Sequence, residues 1–280
     1  MTKGVSRFLT AAGREVHFME WGASNKDVII MWHGLARTGR DFDELAEEMS
    51  SQYHVICPDT LGRGLTQWAV NPDTEYCFDF YHKIILDLLD QLGIDQCHWV
   101  GTSMGGLIGT SLAAGPMKGR IKTLLINDIG PEIPQDAVDR IAQYVGNPPE
   151  FDTILEMETY LKTAYAPFGD NTDAFWRRMT ETSYRRADNK KITVHYDPQI
   201  VNQFTLHKSD LDLWDAYDSL DIPVLLLRGV TSDVLPAAVA DDMATRNKNT
   251  QLEVLEGFGH APTLCSETEI KLVKQLLARA

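Results

Sequence analysis

The arrangement of apolar residues along the chain predicts strands that alternate with helices. Short apolar runs without polar alternation are typical of strands that are buried on both faces. Five runs of this kind occupy residues 28–32, 53–57, 98–100, 122–126 and 224–227, and a sixth at 252–255 is expected nearer an edge. Between them, apolar residues recur every three or four positions, which is typical of helices that pack one face on a core. Such helices are predicted at residues 41–50, 78–92 and 270–277 and directly after Ser103. We therefore expect a mostly parallel sheet with helices on both faces.

The alternation is interrupted between about residues 131 and 210, where the pattern becomes helical. Candidate helices cover residues 137–145, 153–165 and 174–186, and the segment is rich in aromatic residues. We predict a core domain formed by residues 1–131 and 211–280, with a helical cap inserted at residues 132–210. The aromatic residues either line a site beneath the cap or pack the cap onto the core.

The beginning of the chain predicts a hairpin and no export signal. Residues 1–22 form two short strand patterns around Ala12 and Gly13, without the apolar segment of a signal peptide. No run approaches the roughly 18 apolar residues that span a membrane. The four cysteines form no CxxC pair and match no zinc spacing, so we expect reduced thiols. The chain is therefore expected to be a soluble, cytoplasmic protein.

Composition and charge narrow the classes of partner. With 280 residues, 44% of them hydrophobic, the chain can form one large core with an inserted cap. Its 26 basic and 40 acidic side chains give a net charge of −14, which repels nucleic acids and anionic membranes. A small-molecule substrate is expected. No pattern indicates a metal site, and none indicates an oligomeric state.

The segment GTSMG at residues 101–105 is the strongest chemical signal. It matches the pattern G-x-S-x-G between a predicted strand and a predicted helix, the context in which the serine projects from a strained turn as a nucleophile. Gly101 and Gly105 leave the space that such a turn needs. We therefore predict that Ser103 is the nucleophile and that the N–H of Met104 donates to an oxyanion. The alternative is a glycine-rich turn without chemistry.

A second oxyanion donor is expected in the loop after residues 28–32. There Gly34 permits close approach of the backbone, and Leu35 is the predicted donor. His33 begins the loop. We favour a structural role for His33 in bracing this loop, with a substrate contact as the alternative.

The predicted general base is His260, which lies on a glycine-flanked loop after the last strand pattern. The pKa of histidine suits a group that first accepts and then donates a proton. Two aspartates that follow neighbouring strand patterns compete for the role of orienting it. Asp233 is preferred because the order serine, aspartate, histidine then falls at successive strand ends. Asp128, in the preceding exit loop, remains the alternative.

These residues resemble those of the α/β-hydrolase-fold serine hydrolases. The resemblance rests on His33-Gly34, PDTLGRG at residues 58–64, residues 101–106, Asp233 and GHAP at residues 259–262, and it covers nearly the whole chain. The chain is similar to the group that contains small esterases, lactonases, carbon–carbon bond hydrolases and cofactor-free haloperoxidases. The resemblance implies an eight-stranded sheet, a helical cap and the roles assigned above, without metal or organic cofactor. Because Ser103 stands where haloalkane dehalogenases and epoxide hydrolases have an aspartate, those two activities are disfavoured.

The leading hypothesis is hydrolysis of a carboxylic ester or lactone of a small, mostly hydrophobic substrate through an acyl-enzyme on Ser103. Alternatives are a carbon–carbon bond or amide hydrolase with the same triad, and a ligand-binding protein of this fold without catalysis. In the cap, Trp176 and Arg177, together with Arg178, are candidates for holding an anionic substrate. The alternative interpretation is that both arginines are solvated charges on a helix surface.

Overall fold

The structure, a computed structural model, describes residues 3–280. Its strands, in chain order, are β1 (Val5–Ala11), β2 (Arg14–Trp21), β3 (Val28–Trp32), β4 (His54–Pro58), β5 (Cys97–Thr102), β6 (Ile121–Asn127), β7 (Glu150–Phe151), β8 (Tyr184–Arg186), β9 (Ile192–Val194), β10 (Val224–Gly229) and β11 (Thr250–Leu255). Each of the six predicted apolar runs overlaps one of these strands.

The helices surround these strands. In chain order they are α1 (Asp43–Met49), α2 (Pro72–Glu75), α3 (Phe78–Gln91), α4 (Met104–Ala114), α5 (Gln135–Gly146), α6 (Ile154–Ala164), α7 (Asp173–Glu181), α8 (Asn202–Leu206), α9 (Trp214–Asp218), α10 (Ala237–Arg246) and α11 (Glu267–Leu277). Short 3-10 helices occupy Gly39–Phe42, Ala166–Phe168, Pro198–Val201 and Lys208–Leu211. Within residues 3–280, no helix is long and apolar enough to cross a bilayer.

Eight strands form one sheet in the order β1-β2-β4-β3-β5-β6-β10-β11. The pairs β1–β2 and β2–β4 are antiparallel, and the other neighbours are parallel. The first pair is the hairpin predicted around Ala12 and Gly13. The predicted α/β fold, with a mostly parallel eight-stranded sheet, is confirmed.

Strand β3 shows why the sheet is covered on both faces. Its side chains alternate between two buried clusters: Ile30 and Trp32 pack in one, and Ile29 and Met31 pack in the other. All five residues of the strand are buried, as its unbroken apolar run predicts. Helices on each side therefore exclude water from both faces of the sheet.

The segment between β6 and β10 contains helices and a small sheet. Helices α5, α6 and α7 lie where the sequence predicts helices, but α7 ends at Glu181. Residues 184–186, predicted as helix, instead form β8, which pairs with the β-branched strand β9. With β7 they make a three-stranded antiparallel sheet, so the expectation of an all-helical insertion is wrong here. The division of the chain into core and cap domains stays a prediction.

The parallel strands bring the predicted chemistry to one edge of the sheet. The loops that follow β3, β5, β6, β10 and β11 all leave from the carboxyl ends of parallel neighbours. Ligands bind at this edge in open α/β sheets. Ser103 and His260 lie in these loops, as do both candidate aspartates, Asp128 and Asp233.

Candidate active site

Ser103 occupies the turn between β5 and α4. Its φ of 51° and ψ of −119° are unusual for a residue with a side chain, and such strain is characteristic of a nucleophile turn. A Cβ on Gly101 would lie 2.3 Å from the backbone of Gly105, and one on Gly105 would lie 2.0 Å from the Trp32 carbonyl oxygen. Only glycine fits at either position, because in both cases the obstacle is backbone.

A hydrogen-bonded chain joins three side chains at this turn. Ser103 Oγ lies 2.9 Å from His260 Nε2, and His260 Nδ1 lies 2.8 Å from Asp128 Oδ2. With the proton on Nδ1, His260 donates to Asp128 and accepts from the Ser103 hydroxyl. This tautomer can accept the serine proton when Ser103 attacks a carbonyl carbon.

Asp128 is completely buried, yet its carboxylate has several hydrogen-bond donors. The Gly229 amide donates to Oδ1 at 2.8 Å, and the Ser232 hydroxyl donates to Oδ2 at 2.6 Å. His260 supplies the third donor. A buried carboxylate whose oxygens are bonded in this way is fixed in position, and its burial leaves few polar atoms without partners.

The prediction that Asp233 orients His260 is therefore wrong, because Asp128 occupies that position. Asp233 instead pairs with Arg140 of the cap helix α5, and both side chains are about half exposed, at 52% and 54%. The hydrogen bond from Arg140 lowers the pKa of Asp233. Strands β6 and β10 are neighbours in the sheet, so both exit loops reach the same corner. Chain order cannot distinguish them. Asp128 directly follows the last residue of its strand, whereas Asp233 lies four residues beyond Gly229.

The loop after β3 lies directly against the serine. A Cβ on Gly34 would be 3.5 Å from Ser103 Cβ, so the backbone of this loop approaches Ser103 closely. Leu35 and Met104 line the same cavity as Ser103 and His260. Met104 is also the first residue of α4, whose positive end favours a developing negative charge. The placement is compatible with two oxyanion donors, and that role stays a prediction.

Arg63 braces both of these residues and was not singled out from the sequence. It is fully buried, and its Nε donates to the Leu35 carbonyl oxygen at 2.9 Å. Its Nη1 donates to the Leu61 carbonyl oxygen and to the Tyr81 hydroxyl, and Nη2 contacts Met104 Sδ at 3.7 Å. The available signal was an arginine between glycines in the segment PDTLGRG. Its contacts fix the loop that carries Leu35.

His33 has the structural role that we favoured. It is fully buried, its Nδ1 donates to the Gly34 carbonyl oxygen at 2.7 Å, and its Nε2 accepts from the Thr60 amide at 2.9 Å. Burial lowers its pKa to about 4, so the ring is neutral at physiological pH. The alternative of a substrate contact is not supported, because both ring nitrogens have protein partners.

The cap residues predicted to hold a substrate lie elsewhere. Trp176 is buried in a small apolar cluster with Phe175 and Met179 of the same helix, α7. Arg177 is 67% exposed and lies 3.9 Å from Glu158. Arg178 donates to Glu44 and to a backbone carbonyl of the core. Within residues 3–280, none of these three residues lines the cavity above Ser103, so their prediction as substrate contacts is wrong.

A cavity of about 410 Å³ lies between Ser103 and the cap, within the size range of small-molecule sites. Apolar and aromatic side chains dominate its wall: Leu35, Met104, Leu107, Ile129, Ile133, Val138, Ile141, Tyr144, Tyr160, Leu161, Tyr165, Phe168, Val194, Tyr196, Phe204, Leu211 and Val234. Two charged pairs, Arg37 with Asp41 and Arg140 with Asp233, complete it. The cavity thus suits a small apolar molecule that carries a few polar groups.

The fold agrees with comparisons to known proteins. Residues 27–264 match the family described as the alpha/beta hydrolase fold. The chain is 34% identical to a 3-hydroxybutyrate-oligomer hydrolase of Cupriavidus necator, over 99% of this chain and 98% of that protein. It is 24% identical to a 2-(acetamidomethylene)succinate hydrolase of Mesorhizobium japonicum, over 83% and 81% of the two chains.

A solved structure extends the likeness to three dimensions. An alpha/beta hydrolase from Novosphingobium aromaticivorans superposes with a TM-score of 0.89 at 32% identity, and the alignment covers 100% of both chains. The protein therefore belongs to the α/β-hydrolase fold family, as its sequence motifs indicate, and it is a hydrolase of that fold.

Proposed function

We propose that the protein is a serine ester hydrolase that cleaves short oligomers of hydroxy acids. The observation that carries this proposal is the hydrogen-bonded chain from Ser103 through His260 to Asp128, at the base of a mostly apolar cavity. The substrate class is suggested by the 34% identity to a 3-hydroxybutyrate-oligomer hydrolase, which extends over nearly the full length of both chains.

The proposed reaction has two steps that share one oxyanion site. His260 Nε2 accepts the Ser103 proton as Oγ attacks the ester carbonyl carbon, and the N–H groups of Leu35 and Met104 stabilise the oxyanion. The tetrahedral intermediate collapses, the proton passes from His260 to the leaving alkoxide, and an acyl-serine remains. His260 then accepts a proton from water as its oxygen attacks the acyl carbon. The bond from that carbon to Ser103 Oγ breaks, His260 returns the proton to Oγ, and the acid leaves. Asp128 holds the tautomer and stabilises the imidazolium in both steps.

The cavity supports this substrate class by its composition. The branched side chains around Ser103 can contact the methyl groups of a hydroxybutyrate unit. The ester oxygens of such an oligomer require few hydrogen bonds, which suits a wall with few polar groups. No cofactor takes part in the proposed reaction.

The test is incubation with the dimer and trimer of 3-hydroxybutyrate, with a lactone, an amide and a vinylogous diketone in parallel. We expect release of monomer, and mass spectrometry of quenched reactions should find the acyl group on Ser103. Ser103→Ala should abolish both. Cleavage of the diketone or the amide without cleavage of any ester would refute the proposal and indicate the corresponding hydrolase. A folded protein that is not labelled by a fluorophosphonate would indicate a binding protein.

We also propose a cytoplasmic location. It is supported by the four cysteines, all of which are free thiols, and Cys57, Cys77 and Cys97 are buried. Burial raises the pKa of the Cys57 thiol, which keeps it protonated and unreactive. Fractionation of cells that express the untagged chain tests this location, and recovery in an exported fraction would contradict it.

A further inference from the structure

Two arginines line the cavity above Ser103, and they differ in how completely they are bound. Arg37 is 6% exposed, and its Nε and Nη2 donate to the two carboxylate oxygens of Asp41 at 2.8 and 2.6 Å. Its guanidinium also lies 5.0 Å from the centre of the Tyr165 ring. The Asp41 carboxylate therefore already occupies the fork of this guanidinium.

Arg140 has a different environment. It extends from α5, the first helix after β6, and pairs through Nη1 with Asp233 of the β10 exit loop. Within residues 3–280 this is its one ion pair, and 54% of its side chain is exposed. The fork of an arginine can bind a carboxylate through two parallel hydrogen bonds. The pairing with Asp233 through one nitrogen therefore leaves Arg140 able to bind another anion.

The surroundings of Arg140 favour a carboxylate of a bound molecule. Tyr144 lies one helical turn further along α5 and also lines the cavity, as does the apolar residue Ile141 between them. Tyr144 is 41% exposed, and its hydroxyl is a neutral hydrogen-bond donor at physiological pH. The remaining wall is mostly apolar and offers an anion few other polar partners.

We propose that Arg140 binds the free carboxylate of an acid-terminated ester while Ser103 attacks the ester bond. Asp233 holds the guanidinium at the edge of the cavity and shares it with the incoming carboxylate. The inference rests on the proposed ester hydrolysis and adds recognition of the charged end of the substrate. An oligomer of hydroxy acids carries one such carboxylate, whereas its methyl ester has the same shape without the charge.

The test compares the 3-hydroxybutyrate dimer as free acid with its methyl ester. We expect the wild-type protein to favour the acid, and Arg140→Gln to lower the ratio of kcat/KM for acid over ester by about 10- to 100-fold, the worth of a charge-assisted pair. Most of the change should appear in KM. Arg140→Lys should retain part of the ratio. The control Arg177→Gln removes an exposed cap arginine outside the cavity and should leave the ratio unchanged.

Other outcomes overturn the inference. If Arg140→Gln lowers turnover of acid and ester equally, the ion pair only fastens the cap to the core. An unchanged ratio would also exclude carboxylate binding by this residue.

If the wild-type protein cleaves neither the free-acid dimer nor its methyl ester, the proposed function fails. The carboxylate subsite is then tested by ligand binding without turnover. Calorimetry on Ser103→Ala protein would compare half-methyl esters of succinate, glutarate and adipate with their dimethyl esters. Preferential binding of the half-esters that is lost on adding Arg140→Gln supports the carboxylate subsite. Equal binding in the presence and absence of Arg140 rejects it.

Discussion

Asp128 and Asp233 leave neighbouring strands at the same edge of the sheet, but their environments differ. Asp128 is fully buried, and its carboxylate accepts hydrogen bonds from Gly229, Ser232 and His260. Asp233 is half exposed and pairs with one equally exposed arginine of the cap. A carboxylate that orients a catalytic histidine must have a fixed position, and Asp128 has it. Asp233, at its exposed position, is not held by a comparable set of donors.

Substitution of each aspartate by asparagine should give the largest difference in kcat between the two positions. In Asp128→Asn the neutral amide no longer fixes the His260 tautomer with the proton on Nδ1. We therefore expect kcat to fall by about 10⁴-fold. Asp233→Asn should lower kcat by less than about tenfold. Initial rates on p-nitrophenyl butyrate measure both effects, with circular dichroism as the control for folding. A larger loss in Asp233→Asn would reverse the assignment.

His33 is a second buried side chain near Ser103 whose polar atoms have protein partners. Its pKa is about 4 in the folded protein and 6.5 ordinarily, so between these values the unfolded chain binds a proton that the folded chain does not. The free energy of unfolding should therefore decrease as the pH falls from 6.5 to 4, by roughly 3 kcal/mol from this residue. The lowered pKa values of His82 and His98 act in the same direction.

The matched variant for this prediction is His33→Gln. Urea unfolding at pH 4.5, 5.5 and 6.5 should give a shallower pH dependence for this variant than for the wild-type protein. Equal slopes would show that His33 is not the neutral, buried group described above.

The Ser232 hydroxyl donates to the buried Asp128 carboxylate and accepts from the Leu235 amide. Ser232→Ala removes one donor from Asp128, so we expect kcat to fall by about 10- to 100-fold, as for a hydrogen bond to a charged group. Initial rates on p-nitrophenyl butyrate measure this loss. Thr231→Val is the control, since the Thr231 hydroxyl bonds the Phe258 carbonyl oxygen instead. Equal kcat values for the two variants would contradict this role.

The exposed pair should contribute least to stability. Arg140→Ala and Asp233→Ala should each change the free energy of unfolding by less than about 1 kcal/mol, as for other solvent-exposed ion pairs. Asp128→Ala should cost several times more, because buried donors lose their acceptor. Denaturant unfolding of the three variants measures this order. A costly Arg140→Ala would mean that the pair fastens the cap.

The elements that the sequence predicts well depend on local patterns. Strand β3 has the predicted bounds because an unbroken apolar run has one stable environment, the interior of a covered sheet. The turn at Ser103 was predictable because only glycine fits at positions 101 and 105. Likewise, His260 was identified from its glycine-flanked loop and its place after the last strand.

The choice of acid and the substrate contacts depend on tertiary packing, which local patterns do not encode. Asp128 and Asp233 follow adjacent strands, and the tertiary contacts of Asp128 with the Gly229 amide, the Ser232 hydroxyl and His260 distinguish them. The aromatic residues of the cap also differ in their environments. Tyr144 and Tyr165 line the cavity, whereas Trp176 is buried in a separate cluster with Phe175 and Met179. Helical periodicity indicates which residues share the apolar face of a helix. It does not indicate whether that face lines the cavity or packs against the rest of the protein.

The most direct test of this account is the proton NMR resonance of His260 Nδ1–H, which lies far downfield when the proton is hydrogen bonded to a carboxylate. We predict that the resonance is present in the wild-type protein and in Asp233→Asn, and that it is lost or strongly shifted in Asp128→Asn. Persistence of the resonance in Asp128→Asn, together with its loss in Asp233→Asn, would contradict the assignment of Asp128 as the partner of the histidine.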